Sequence, residues 1–199
     1  MRIHTLFLSA AALALSVTMA APAPPALAEW EPPKTLASNT RGEALAAAPD
    51  GTVVAVWATT RPPYEVVART HAPGGPWGPP SVLGRGYAPV VAVDGTGTVT
   101  AAWLTQRRNR TDGVSAARLP AGGSWSPAVH LSDDVPAPGQ RAGSDVFGAT
   151  DLDLAVNGVG DVVLAWAWGR ETGHHPWRVQ VVLRPGGGSW SDPTDLSAA

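Results

Sequence analysis

The chain has 199 residues, nine of them tryptophan, no cysteine and a formal charge of −2. Without thiols there can be no disulfide and no cysteine-linked lipid anchor, so burial of apolar surface must hold the fold together. The 14 basic residues are outnumbered by 16 acidic ones, and a nucleic-acid partner, which calls for a clustered basic excess, is not expected.

Residues 1–28 read as a signal peptide. Arg2 gives a positive start, the run from Leu6 to Val17 is apolar, and Ala26-Leu27-Ala28 has the small-x-small pattern of a cleavage site. Thr18-Met19-Ala20 offers a second site, after Ala20. The apolar run falls short of the roughly 20 residues of a membrane span. Export is the expected fate, which leaves residues 29–199 as one extracellular repeat domain.

That domain opens on a phrase that recurs three times. EWEPPKTLAS around Trp30 is followed by GGPWGPPSVLG around Trp77, GGSWSPAVHLS around Trp125 and GGSWSDPTDLS around Trp190, with a Leu six residues after each Trp. The first copy, an extra strand over 30–38, has no companion strands before it. Three full units follow at about 43–84, 87–132 and 149–197. In each, a turn Gly precedes a second-strand Trp by six residues: Gly51 and Trp57, Gly97 and Trp103, Gly160 and Trp166.

Each unit holds four short apolar stretches, PVVAV, TVTAAWLTQ, GVSAARL and SWSPAVHLS in the second, bounded by Gly, Pro, Asn or Asp. Asp50-Gly51, Asp94-Gly95 and Asn157-Gly158 mark tight turns between the first two stretches. Gly74-Gly75, Gly122-Gly123 and Gly186 to Gly188 mark turns between the last two. Every unit therefore predicts a four-stranded antiparallel meander. A period near 47 residues and second strands such as VVAVWA, apolar at nearly every position, predict the blades of an all-β propeller. A β-sandwich of hairpins is the alternative. The six phrase tryptophans, Trp57, Trp77, Trp103, Trp125, Trp166 and Trp190, are assigned to the core.

The GG-x-W-S-x-P-x-x-L-S phrase, with the Asp-Gly turn that leads into an Ala-Trp strand, resembles the repeats of secreted sialidase-like propellers of the Asp-box (BNR) class over residues 30–197. The Asp-box itself is not matched, because Asp94 stands three residues before Gly97 and nine before Trp103. The resemblance implies, for an active member, three arginines that clamp a carboxylate, a Tyr nucleophile supported by Glu and an Asp acid. Tyr64 and Tyr87, the two tyrosines here, match no such context, and Arg69, Arg118 and Arg184 recur at the end of every third strand, which favours a structural role.

Function is sought where the units differ. In a meander the glycine turns share one face, and the second-to-third loops, TTRPPYE, TQRRNRTDG and GRETGHHPWR, share the other with the stretch from Asp133 to Thr150. Arg61, Tyr64, Arg107, Arg108, Arg110, Glu171, His174, His175 and Trp177 form the candidate ligand-binding set. No cofactor or metal is expected, since the adjacent histidines lack a third ligand at defined spacing. The expected role is a secreted, non-catalytic module that binds a carbohydrate or an extracellular protein. Two alternatives stand beside it: a fragment or relative of a sialidase-like glycoside hydrolase, and a degenerate propeller fragment without activity of its own. Three blades and an extra strand do not close a ring. Either several copies assemble to complete the propeller, or the chain is part of a longer one.

Overall fold

The computed structural model describes residues 32–107, 110–132, 147–170 and 178–197. Two units are distinguished, Met1–Thr35 and Leu36–Ala199. In the first, residues 32–35 are described and carry no regular structure.

Eleven strands make up the described part of the second unit: β1 (Thr40–Ala47), β2 (Val53–Thr59), β3 (Glu65–His71), β4 (Ser81–Val93), β5 (Val99–Arg107), β6 (Arg110–Leu119), β7 (Val129–His130), β8 (Phe147–Val156), β9 (Val162–Arg170), β10 (Arg178–Arg184) and β11 (Thr194–Asp195). Within one sheet of seven strands, β1 to β7, and one of four, β8 to β11, each strand pairs antiparallel with its chain neighbours. The larger sheet is two blades joined by a shared strand. Ser81 to Arg85 of β4 pair with β3 as the last strand of blade 1, and Gly86 to Val93 pair with β5 as the first strand of blade 2. Strands β8 to β11 are blade 3. The three predicted meanders are present.

The glycine turns between first and second strands are closed by side chains that mimic backbone. Asp94 Oδ1 accepts from the amides of Thr96 and Thr98 at 2.9 and 3.0 Å, and Asn157 Oδ1 accepts from Val159 and Asp161 at 3.1 and 2.9 Å. Positive φ falls on Gly97 and Gly160, at 81° and 91°, two residues beyond the Gly95 and Gly158 of the turn pairs. The Asx bonds carry the chain two residues further before it reverses.

Alternation along the strands gives every blade two unlike faces. One carries the second-strand Trp and faces the preceding blade; the other is aliphatic and faces the next. Val54, Val56, Ala58, Val66 and Ala68 of blade 1 meet Ala101, Trp103 and Ala117 of blade 2. Ala102, Leu104, Val114 and Ala116 of blade 2 meet Leu164, Trp166 and Val182 of blade 3. The third cluster, Ala55, Trp57 and Val67, lies on the Trp face of blade 1 and is joined by Leu36 and Trp77. Burying a Trp such as Trp103, 1% exposed, contributes on the order of 4–6 kcal/mol of gross transfer free energy.

Two expectations are corrected. Trp77, Trp125 and Trp190 do not lie in fourth strands. Trp77 makes a single bridge to His71, while Trp125 and Trp190 stand in the loops before β7 and β11. Prolines after each Trp remove ladder donors, so pairing starts only beyond them. These three rings are half-buried against the clusters, and Trp57, Trp103 and Trp166 are buried outright. Nor is the extra strand at 30–38 a strand over its described residues, 32–38, which join no ladder. Its Leu36 nevertheless takes the place that the phrase reserves for it.

Candidate functional site

The end of the blades opposite the glycine turns is shaped by a distortion repeated three times. Each first strand carries a β-bulge, between Arg41 and Ala44, between Tyr87 and Val90, and between Thr150 and Asp153. Within each bulge one residue adopts positive φ, namely Gly42 at 60°, Ala88 at 46° and Asp151 at 50°. All three stand fifteen residues before the second-strand Trp of their blade. Bulges bend a strand and re-aim its side chains, and they concentrate beside binding sites.

Adjacent bulges touch, because a Cβ on Gly42 would lie 3.4 Å from Ala88 Cα and from Pro89 Cδ. There the guanidinium of Arg41 lies 6.0 Å from the centre of the Tyr64 ring and 5.3 Å from that of Tyr87. Both distances suit cation–π attraction. Tyr87 packs against the cores of both seams and is thereby fixed. Tyr64 comes from the second-to-third loop of blade 1, which is tied down by its own bonds. Thr59 Oγ1 accepts from the Glu65 amide at 2.8 Å, and Arg61 carbonyl accepts from the Tyr64 amide at 3.0 Å. Tyr64 itself has a φ of 54°, and its carbonyl accepts from the Gly86 amide at 2.8 Å, at the joint inside β4. Arg61 is exposed on the same loop, and Asp151 is exposed in the bulge of blade 3.

The structure thus joins Tyr64 to Arg41 and Tyr87, and places Arg61 on the loop that carries Tyr64. Arg107 and Arg110 are backbone partners at the end of the β5–β6 hairpin. The loop TQRRNRTDG is therefore mostly ladder. Arg108, Glu171, His174, His175 and Trp177 lie outside the described residues, as do residues 133–146. Arg41 and Tyr87 are absent from the sequence-derived set, although they occupy the same repeat position, sixteen residues before the Trp. Comparison of first strands, and not only of loops, would have exposed them.

The recurring arginines sit at the other end and serve the scaffold. Arg69 donates to the carbonyls of Gly78, Leu36 and Trp77 at 2.7, 3.3 and 3.4 Å. Arg118 donates to Thr100 Oγ1 at 3.3 Å and pairs with Asp94 at 3.5 Å. Burial lowers the pKa of Arg184, and the charge of Arg118 adds to this while Asp94 opposes it. A crevice of about 250 Å³ between the glycine turns of blades 1 and 2 is lined by Ala48, Asp50, Leu119 and Ala121, among others. Its acid, Asp50, is already engaged by the amide and hydroxyl of Thr52 at 2.8 and 3.1 Å. This leaves the bulged ends as the better site. Among the described residues no group of three His, Asp or Glu side chains is placed to hold a metal ion.

No protein family and no curated protein matches the chain. Solved structures do match it. An α-L-arabinofuranosidase from Fusarium graminearum in complex with an iminosugar inhibitor superposes with a TM-score of 0.52 at 16% identity, over 79% of this chain and 48% of that one. An α-L-arabinanase from Penicillium chrysogenum complexed with arabinobiose gives 0.53 at 14% identity, over 81% and 50%. A Hadza microbial sialidase gives 0.52 at 16% identity, over 76% and 36%. The chain spans half the length of these proteins or less. Identities this low establish the fold alone: the described strands form three blades of the β-propeller kind.

Proposed function

We propose that this chain is an exported, non-catalytic carbohydrate-binding propeller segment that holds sugar at the bulged ends of its first strands. The observation that carries this reading is the guanidinium of Arg41 placed over the rings of Tyr64 and Tyr87. A planar guanidinium steadied by aromatic faces offers a fixed fork of N–H donors to neighbouring hydroxyls. The tyrosines add flat apolar surface of the kind on which a pyranose or furanose ring can stack. Arg61 and Asp151 supply a further donor and an acceptor on the same end of the blades. The arabinobiose complex of the Penicillium arabinanase supports the choice of sugar over protein as ligand.

A glycan array, followed by calorimetry with arabino-oligosaccharides and sialosides, tests the reading. Binding is expected, weakened roughly tenfold or more by Tyr87→Ala and by Arg41→Ala. An array at background level, or affinity unchanged in both variants, would reject it. The alternative of a glycoside hydrolase draws support from the enzymes it superposes on. Turnover of fluorogenic arabinosides or sialosides by the purified chain would favour it over plain binding.

A further inference from the structure

The Leu of the recurring phrase reports what lies beside each blade. Leu83 closes the seam between blades 1 and 2, and Leu131 closes that between blades 2 and 3. Leu36 packs on Ala55, Trp57 and Val67 at the start of the array. Leu196, the fourth, is 63% exposed. Around it the aliphatic face of blade 3 has no cover among the described residues. By register, Val163 and Val179 are the counterparts of Val54 and Val66 of blade 1. The first pair is 42% and 43% exposed, and the second pair 0%. Leu183, on the same face, is 50% exposed. Ala165, Ala167 and Val181 fill the positions between, so every β9 and β10 residue from Val163 to Ala167 and Val179 to Leu183 that points this way is aliphatic.

At both internal seams, this kind of face is covered by the Trp-bearing face of the following blade. The chain carries one more such face, that of Trp57 in blade 1. We propose that the open flank of blade 3 seats the Trp57 face of a second copy, and that two copies joined reciprocally close a six-blade ring. Solved propellers of which this chain matches 48% and 50% leave room for one further segment of equal size. Six blades lie within the four to eight of closed rings. A single two-fold operator then satisfies both open ends at once, and growth stops at the dimer.

The place beside Trp57 is contested. In the single chain Leu36 holds it, with its carbonyl bonded to Arg69, and Trp57 is 7% exposed. In the ring, Leu196 of the partner subunit comes to the same position, because both are the sixth residue after a phrase Trp. The residue-36 segment is therefore a competitor that dimerisation must displace.

Sedimentation of the intact mature chain up to roughly 0.2 mM reads this directly, beside Leu36→Asp, which expels the competitor, and Val163→Glu/Val179→Glu, which charges the flank. The intact chain is expected to dimerise weakly. Leu36→Asp should tighten the dimer about tenfold or more, since the burial of one Leu no longer opposes it, and the double flank variant should be monomeric. Near-UV circular dichroism of the tryptophans checks that each variant is folded; if Leu36→Asp is not, Leu36→Ala replaces it, with a smaller shift in the same direction. A monomer in all forms, a dimer weakened or unchanged by loss of Leu36, or a dimer that survives the flank charges would each overturn the proposal. The last two also separate this ring from a simple flank-to-flank contact, and none of the readouts depends on sugar binding.

Discussion

Single residues show how alike positions are solved differently from blade to blade. Trp103 and Trp166 are repeat partners, each 1% exposed. Trp166 Nε1 donates to Gln180 Oε1 at 3.1 Å, whereas the residue opposite Trp103 is Ser115, and Trp103 Nε1 has no hydrogen-bond partner among the described residues. A buried donor left unpaired costs free energy that its removal recovers. Trp166→Phe is therefore expected to cost more than Trp103→Phe by about 1–3 kcal/mol, visible as a melting-temperature gap of roughly 2–4 °C per kcal/mol. Equal losses would show that the missing partner does not matter. Asp94 supplies a second test. Burial raises its pKa, but the Thr96 hydroxyl, the Thr98 and Thr96 amides and the Arg118 charge outweigh this, so it lies below 3.8 in the folded chain. A carboxyl so depressed stabilises the fold above its unfolded pKa, and that contribution fades as pH falls through the folded value. Thermal melts should thus weaken between about pH 4 and 2, with a flatter profile in Asp94→Asn; parallel profiles would remove Asp94 from the account.

At the scale of elements, the three meanders were readable because strand period, Gly turns and recurring Trp all agree in every unit. Boundaries were less so. The phrase Trp looked like part of a strand, yet its neighbouring prolines cannot donate, and pairing shrinks to two residues in β7 and β11. The bulges were hidden for a different reason. Gly42, Ala88 and Asp151 share a conformation and no chemistry, so nothing in residue type announces them, and only counting back from the Trp brings Arg41 and Tyr87 into line. Tyr64 was found because it lies in a loop that varies. Gly86 marks the joint inside β4: a Cβ there would lie 2.6 Å from Trp103 Cδ1, with the backbone of Leu104 closer still. Gly86→Ala is expected to cost about 3 kcal/mol in chemical denaturation, near the top of the range for overpacking. It should also lower any sugar affinity, since the Gly86 amide holds the Tyr64 carbonyl. A neutral Gly86→Ala would mean that the joint yields easily.

For the whole molecule, repetition was legible and closure was not. Four phrases against three units can be counted in the sequence, but which end is covered depends on packing. The structure gives the array two unlike ends, with Leu36 seated on one and Leu196 exposed at the other. The candidate site was legible only in outline, as a face. Much of the loop material expected there, including Glu171, His174, His175 and Trp177, lies beyond the described residues.

The shared strand β4 has a mechanical consequence. Thirteen residues of one backbone belong first to blade 1 and then to blade 2, so these two blades have no hinge between them and must tilt as one lever. Blades 2 and 3 share no strand and meet by packing alone, through the cluster around Leu104, Leu164 and Trp166 and through the turns, where Asp94 and Gly95 lie against Gly160 and Gly158. Breathing of the array should therefore open the second seam and spare the first. Under load, as when a ligand is pulled along the axis, blade 3 would part from a rigid two-blade block, and the Arg41, Tyr64 and Tyr87 cluster, which lies wholly within that block, would keep its shape.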